Sequence, residues 1–183
     1  MSTTFPRARK LGYDIDQVED FLEDARRAYH AQPGEPTVVS AEVIRQQAFT
    51  MRKHGYAPSH VDAALERLED AFATKEREAA LRTQGDQAWY DRARSGAQVI
   101  LDRVVRPRGR RFKRVGFLTT GYSVRETDAF ADRIARNLQH GDPLTVDEVR
   151  GIAFGRQKGG YQETQVDVVL DAVIDLLQAV KPA

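Results

Sequence analysis

Apolar positions recur along this chain with one spacing in four places, each counted from a tyrosine that follows a glycine: Gly12-Tyr13, Gly55-Tyr56, Gly121-Tyr122 and Gly160-Tyr161. Five residues after the tyrosine stands Val18, Val61, Thr127 or Val166, and nine after it Leu22, Leu65, Ala131 or Leu170. Twelve after it comes Ala25, Leu68, Ile134 or Val173, and sixteen after it Tyr29, Phe72, Leu138 or Leu177. These offsets trace one face of a helix. Each Gly-Tyr pair is therefore predicted to feed an amphipathic helix.

The copies are related in pairs. Ser40–Phe72 aligns without a gap on Thr145–Leu177, at an offset of 105, with Arg45/Arg150, Ala48/Ala153, Phe49/Phe154 and Lys53/Lys158 identical. The first and third copies lie 109 residues apart. The pattern predicts an all-α fold, internally duplicated, in which short helix–Gly-Tyr turn–helix units form two similar halves. The halves are placed at 1–83 and 112–183, joined by a connecting helix and basic linker at 84–111.

Local chemistry sharpens the helix starts. Asp14 with Gln17, Ser123 with Glu126 and Thr145 with Glu148 are capping-box patterns. Pro58 suits a first helical position, and Ser40 and Thr145 suit N-caps of helices running through Phe49 and Phe154. Each glycine before tyrosine reads as a helix stop or a turn with positive φ. Gln32–Pro36, Gly141–Pro143 and Arg106–Arg110 read as loops. One helix from Ala57 to about Arg82 and another over roughly Gln87–Val105 complete the expectation, and no strand is predicted. Short apolar stripes are stable only when packed together, so the expected core is Phe49, Tyr56, Val61, Leu65, Leu68, Phe72, Phe154, Tyr161, Val166, Leu170, Val173 and Leu177, with Tyr13, Val18, Leu22, Tyr122, Phe130 and Ile134.

From Thr145 to Leu177 the order Thr-x-x-Glu-Val, Phe154, Gly160-Tyr161, Val166-Asp167 and Leu170 resembles the N-terminal domain of DivIVA-type proteins. The first copy, GYDIDQVEDFLEDA, is similar to the same family's signature, and the whole chain resembles actinobacterial proteins built from repeated DivIVA-like domains. The resemblance covers about 130 residues. It implies a scaffold that self-associates, gathers at curved membrane and recruits partners in bacterial cell division or polar growth, and it implies no enzymatic activity. The family's membrane contact uses an apolar and a basic residue in the turn before Gly-Tyr. Here that turn carries Lys10-Leu11, Lys53-His54, Thr119-Thr120 and Lys158-Gly159, so only the first copy holds such a pair, in reversed order. No segment sustains the heptads of a coiled-coil tail.

Composition narrows the chemistry. The chain has 183 residues, 41% apolar and 30% charged, which is enough apolar content for a core. With no cysteine, disulfides and thiolate chemistry are excluded, and a reducing compartment fits. No signal-peptide pattern and no apolar run of membrane-spanning length are present. The expected location is cytoplasmic, with room for contact at the inner face of the membrane.

Charge is uneven. Arg103, Arg106, Arg108, Arg110, Arg111, Lys113 and Arg114 form a run of seven cations without an acid in a chain of net charge +1, so the remainder is net acidic. That run is a candidate polyanion contact, and its bland alternative is a linker paired with acidic helices nearby. Phe112 alone gives no stacking platform for single strands. The Gly-Tyr residues themselves (Gly12, Tyr13, Gly55, Tyr56, Gly121, Tyr122, Gly160, Tyr161) are candidate interaction positions, weighed against simple turn-and-packing roles. The acids after the helix-face residue, Glu19, Asp62, Asp128 and Asp167, read as first-turn complements of the helix dipole.

Catalytic and cofactor signals are weak. Gly155–Gly160 and Gly116–Gly121 fail the phosphate-loop pattern. The four histidines are scattered, with no carboxylate at ligand spacing. No cofactor, metal or catalytic residue is expected. The sequence thus points to a non-enzymatic protein-interaction module whose partners are proteins, including a second copy of itself. A nucleic-acid binder using 103–114 is the alternative, and it is the less favoured.

Overall fold

Asp14, Ser40, Ser123 and Thr145 each accept a backbone N–H from the first turn that follows, and a helix begins at each. The computed structural model describes residues 4–32, 35 and 37–180. It divides into two compact units, Met1–Thr83 and Gln84–Ala183. The first unit runs β1 (Leu11–Tyr13), α1 (Ile15–His30), α2 (Ala41–Gln46), β2 (Met51–Lys53) and α3 (Pro58–Gln84). The second opens with α4 (Asp86–Val104), then runs β3 (Thr120–Tyr122), α5 (Val124–His140), α6 (Val146–Arg150), β4 (Arg156–Lys158) and α7 (Glu163–Ala179). Apart from α4, the order of elements is the same in both.

The fold is mostly helical, but the expectation that no strand forms is corrected: the described residues include four strands, each three residues long. They form two antiparallel pairs. In the first, Leu11 faces Lys53, Gly12 faces Arg52 and Tyr13 faces Met51. In the second, Thr120 faces Lys158, Gly121 faces Gln157 and Tyr122 faces Arg156. Such strands are too short to show alternation, and their outward side chains are largely charged. The same pairing ends α2 and α6 early. Neither helix reaches Phe49 or Phe154, because the chain leaves the helix at Gln47 and after Gly151 to join the ribbon.

The segment 84–111, read from sequence as a connector, lies inside the second unit. There α4 packs on α5 and α7 through the buried Ile100 and Val104. Of the loop predicted at 32–36, Pro33, Gly34 and Pro36 lie outside the described residues.

Each unit has its own core. In the first, Val18, Ala25, Ile44, Phe49, Tyr56, Val61, Leu65 and Phe72 are buried together. A buried ion pair, Arg45 Nε to Glu69 Oε1 at 2.8 Å, ties α2 to α3. In the second, Phe130, Ile134, Val149, Val173 and Ile174 join the α4 residues, and Phe112, Tyr161 and Val166 form an adjoining cluster. Every residue of the expected core is buried or half-buried.

Candidate functional site

The two Gly-Tyr segments of each unit cross one another back to back. Tyr13 N–H donates to the Tyr56 carbonyl and Tyr56 N–H donates to the Tyr13 carbonyl, both at 2.9 Å. Tyr122 and Tyr161 exchange the same two bonds at the same distance. At such a crossing there is no room for a side chain. A Cβ placed on Gly12 would lie 2.3 Å from the Tyr56 carbonyl oxygen, and one on Gly55 2.3 Å from that of Tyr13. For Gly121 and Gly160 the corresponding approaches are 2.2 Å to Tyr161 and 2.3 Å to Tyr122.

This corrects the reading of the glycines as positive-φ turns or helix stops. The left-handed residues are their neighbours His54 and Gly159, both at φ 61°. The glycines of the motif are required by close backbone approach.

The tyrosine hydroxyls reach the helix of the other copy. Tyr56 Oη donates to Glu19 Oε1 at 2.5 Å, and Tyr161 Oη donates to Asp128 Oδ1 at 2.9 Å. In the reciprocal direction, the Tyr13 hydroxyl meets Asp62 and the Tyr122 hydroxyl meets Asp167. The acid that follows the helix-face residue therefore serves as acceptor for a tyrosine more than 30 residues away, in addition to standing near a helix start.

All four phenols are pushed above their ordinary range. Burial is the leading cause at Tyr13, Tyr122 and Tyr161, and the bond to Glu19 leads at Tyr56. Burial likewise raises the Asp167 carboxyl, against the opposing bond from Tyr122. Phenols held protonated beside carboxylates are durable hydrogen-bond donors and poor proton-transfer groups.

A second ring closes over each crossing. Phe5 packs edge-on to Tyr56 and Phe112 edge-on to Tyr161, each with centroids 5.3 Å apart. Sequence reasoning missed Phe5 and did not see Phe112 as its counterpart. The shared signal is Phe-x-Arg, Phe5-Pro-Arg7 and Phe112-Lys-Arg114, upstream of Gly-Tyr. Arg7 and Arg114 bridge to Tyr56 and Tyr161 in the same way.

Capping also departs from expectation. At Thr145 and Glu148 the reciprocal box is complete. At Asp14 and Ser123 it is half made. Gln17 accepts from Thr50 N–H at 2.9 Å, and Glu126 accepts from Gly155 N–H at 2.7 Å. The N-cap N–H groups turn to the Thr50 and Gly155 carbonyls instead. Ribbon formation supplies these partners, so the third-position side chains are free to hold the other strand.

The basic run 103–114 is split by the fold. Arg111 is 5% exposed. Its guanidinium donates to the Arg106 carbonyl at 3.0 Å and the Asp128 carbonyl at 2.5 Å, and it pairs with Asp132. Arg108 also pairs with Asp132, at 3.1 Å through Nε. Arg114 Nε holds the Gly159 carbonyl at 2.7 Å. Arg106, Arg110 and Lys113 stay exposed, and Arg103 is half-buried.

The longer turn of the second unit has no parallel in the first. Phe112 to Gly121 spans two residues more than Phe5 to Gly12. The extra length makes a β-turn, Thr119 N–H to Gly116 carbonyl at 2.8 Å, with Phe117 and Leu118 at its corners. These two are 80% and 75% exposed. Gly159 N–H fixes the turn by donating to the Thr119 carbonyl at 2.8 Å, and Arg114 lies against Gly159. Lys158, paired across the ribbon with Thr120, is exposed beside them.

Among the described residues no group of His, Asp and Glu is placed to hold a metal ion, and no helix is long and apolar enough to cross a membrane. A groove of about 430 Å³ between α4 and α7 is lined by apolar side chains such as Trp89, Val99, Ile100 and Leu176, with Arg92 and Asp175 as its charged members. Compared with known proteins, the chain matches no family model, no curated protein and no solved structure.

Proposed function

We propose that this chain is a non-enzymatic interaction module of the DivIVA-like kind, associated with bacterial cell division or polar growth, and that its second unit touches the membrane surface through the turn at Phe117 and Leu118. The observation that carries the membrane contact is that turn. Two large apolar side chains at a projecting corner, flanked by Arg114 and Lys158, have no role in either core. Apolar side chains that insert while cations meet anionic headgroups are the elements of peripheral membrane binding. The resemblance of the Gly-Tyr copies to DivIVA-type domains supports the cellular role. The matching ribbons, crossings and tyrosine–acid pairs support descent of the two halves from one duplicated half. The tyrosines and acids of the motif are consumed in holding each unit together, which favours a docking scaffold over a catalyst.

Vesicle co-sedimentation tests the contact. The full chain should pellet with phosphatidylglycerol-containing vesicles, and Phe117→Ser with Leu118→Ser together should weaken binding at least tenfold while leaving the fold intact. Equal binding by the double variant would sink the assigned contact. For the cellular role, a fluorescent fusion in an actinomycete should gather at septa or poles, and uniform fluorescence would speak against it.

A further inference from the structure

The ribbon tip of the first unit concentrates cations that the fold does not use. Arg7, Arg9 and Lys10 precede β1, and Lys53 stands opposite Leu11 on β2. Two neighbouring arginines are engaged. Arg7 donates to the His54 carbonyl at 3.1 Å and lies 5.0 Å from the centre of the Tyr56 ring, and Arg52 pairs with Asp14. Arg9, Lys10 and Lys53 are exposed, and among the described residues none has an ion-pair partner. Like charges gathered on one exposed ribbon repel each other slightly, and an outside polyanion would relieve that repulsion.

We propose that this tip binds the phosphate backbone of a nucleic-acid duplex. The run 103–114 is the weaker polyanion site, because Arg108 and Arg111 are committed to Asp132 and Arg114 to the Gly159 carbonyl, which leaves Arg106, Arg110 and Lys113 exposed. The free cations of the first unit stand instead on a narrow two-stranded ribbon, a shape that fits along a duplex groove. The tip also differs from its counterpart in the second unit. It lacks the two-residue extension and its aromatic corner, and its exposed apolar residues, Leu11 and Met51 at 52% and 47%, stand out less than Phe117 and Leu118 at 80% and 75%. A tip on which three unpaired cations outnumber two partly exposed apolar side chains suits a solvated polyanion, whereas an acyl layer rewards a larger apolar wedge. This site is separate from the turn at Phe117.

Fluorescence anisotropy of a labelled 20-base-pair duplex, titrated with the full chain between 25 and 200 mM KCl, reads the proposal directly. Three or four phosphate contacts give a slope of log K against log salt of about −3 to −4. Replacing Arg9, Lys10 and Lys53 together by alanine should weaken binding at least tenfold at low salt and flatten the slope by about 3. Circular dichroism should show the triple variant folded, as exposed positions allow. A control triple, Arg106→Ala, Arg110→Ala and Lys113→Ala, should bind as the parent does, and so should the Phe117/Leu118 double variant. Several results would overturn the assignment: no binding at 25 mM KCl, undiminished binding by the first triple, or loss in the control triple instead. Capture by phosphatidylglycerol vesicles through Arg9, Lys10 and Lys53 without duplex binding would assign the tip to lipid and likewise overturn it.

Discussion

Replacing Gly12 by alanine is the most direct test of the crossed backbones. The new Cβ would stand 2.3 Å from the Tyr56 carbonyl oxygen, where real contacts do not fall below 3.0 Å. The chains must therefore part by about 0.7 Å. The two Tyr13–Tyr56 bonds start at 2.9 Å, and the same movement carries them to about 3.6 Å, beyond a hydrogen bond. Two lost bonds amount to about 2 kcal/mol net, and forcing a methyl into a packed site adds about 1–3 kcal/mol. The expected loss is about 3–5 kcal/mol, a large share of what a domain of this size has. Urea unfolding followed by circular dichroism reads it. Gly96→Ala is the control, because a Cβ there meets nothing within 4 Å and alanine favours the helix by about 0.5–1 kcal/mol. Gly12→Ala combined with Gly55→Ala should cost far less than the sum of the singles, since both break one crossing. If Gly12→Ala costs less than about 1 kcal/mol, close approach is not why glycine is there. A turn-based account would place the sensitivity at His54 and Gly159 instead.

Four further outcomes follow from the same geometry. Tyr161→Phe removes the donor to Asp128 from a fully buried ring and should cost about 1–3 kcal/mol in denaturant melts; no measurable loss would show the hydroxyl to be idle. Thr127 Oγ1 is buried without a hydrogen-bond partner, at the position where the first copy has Val18. Thr127→Val should therefore be neutral or stabilising, by up to about 1 kcal/mol, and a destabilised variant would contradict the burial. His54→Gly relieves a side chain at φ 61° and should raise stability by about 0.5–1 kcal/mol, with a fall in melting temperature as the adverse result. Burial alone would raise the Asp132 carboxyl, but bonds from Arg111 and Arg108 outweigh it and hold it below its ordinary range. A lowered folded-state value stabilises above the unfolded value, and that stability is lost as pH falls from about 4 through the folded value. Acid melts of Asp132→Asn should thus converge on those of the parent below that window, and a constant gap would refute the linkage.

Much of the helical framework was legible because its cause is local. The stripe through Val18, Leu22 and Ala25 is a helical period, and Pro58 and Thr145 mark starts by chemistry confined to one turn. What was not legible depends on distant partners. Met51-Arg52-Lys53 and Arg156-Gln157-Lys158 carry no apolar alternation, so nothing in them announces a strand. Their extended form is imposed by pairing with residues about 40 positions away. Glu19 and Asp128 looked like dipole complements because their tyrosines lie in the other copy. Arg111 looked like one cation in a solvated run. Only the fold places Asp132 and the Asp128 carbonyl around it. Repetition marks the Gly-Tyr pairs in the sequence, but the reason for the glycine appears only when two copies meet.

That meeting explains why the copies act in pairs. Within one copy, the tyrosine N–H and carbonyl have no internal partner, and the acid on its helix has no local tyrosine. A second copy, turned around, supplies all of these at once, and it receives the same in return. The arrangement has the logic of a two-fold interface, in which one patch is its own complement. Here the two sides lie in one chain, joined within each unit. A copy without its mate would leave Tyr56 or Tyr161, each at most 1% exposed in its unit, with unpaired backbone groups and an open apolar face. The pair, not the single motif, is the part in which the backbone groups and tyrosine hydroxyls of the crossing find their partners.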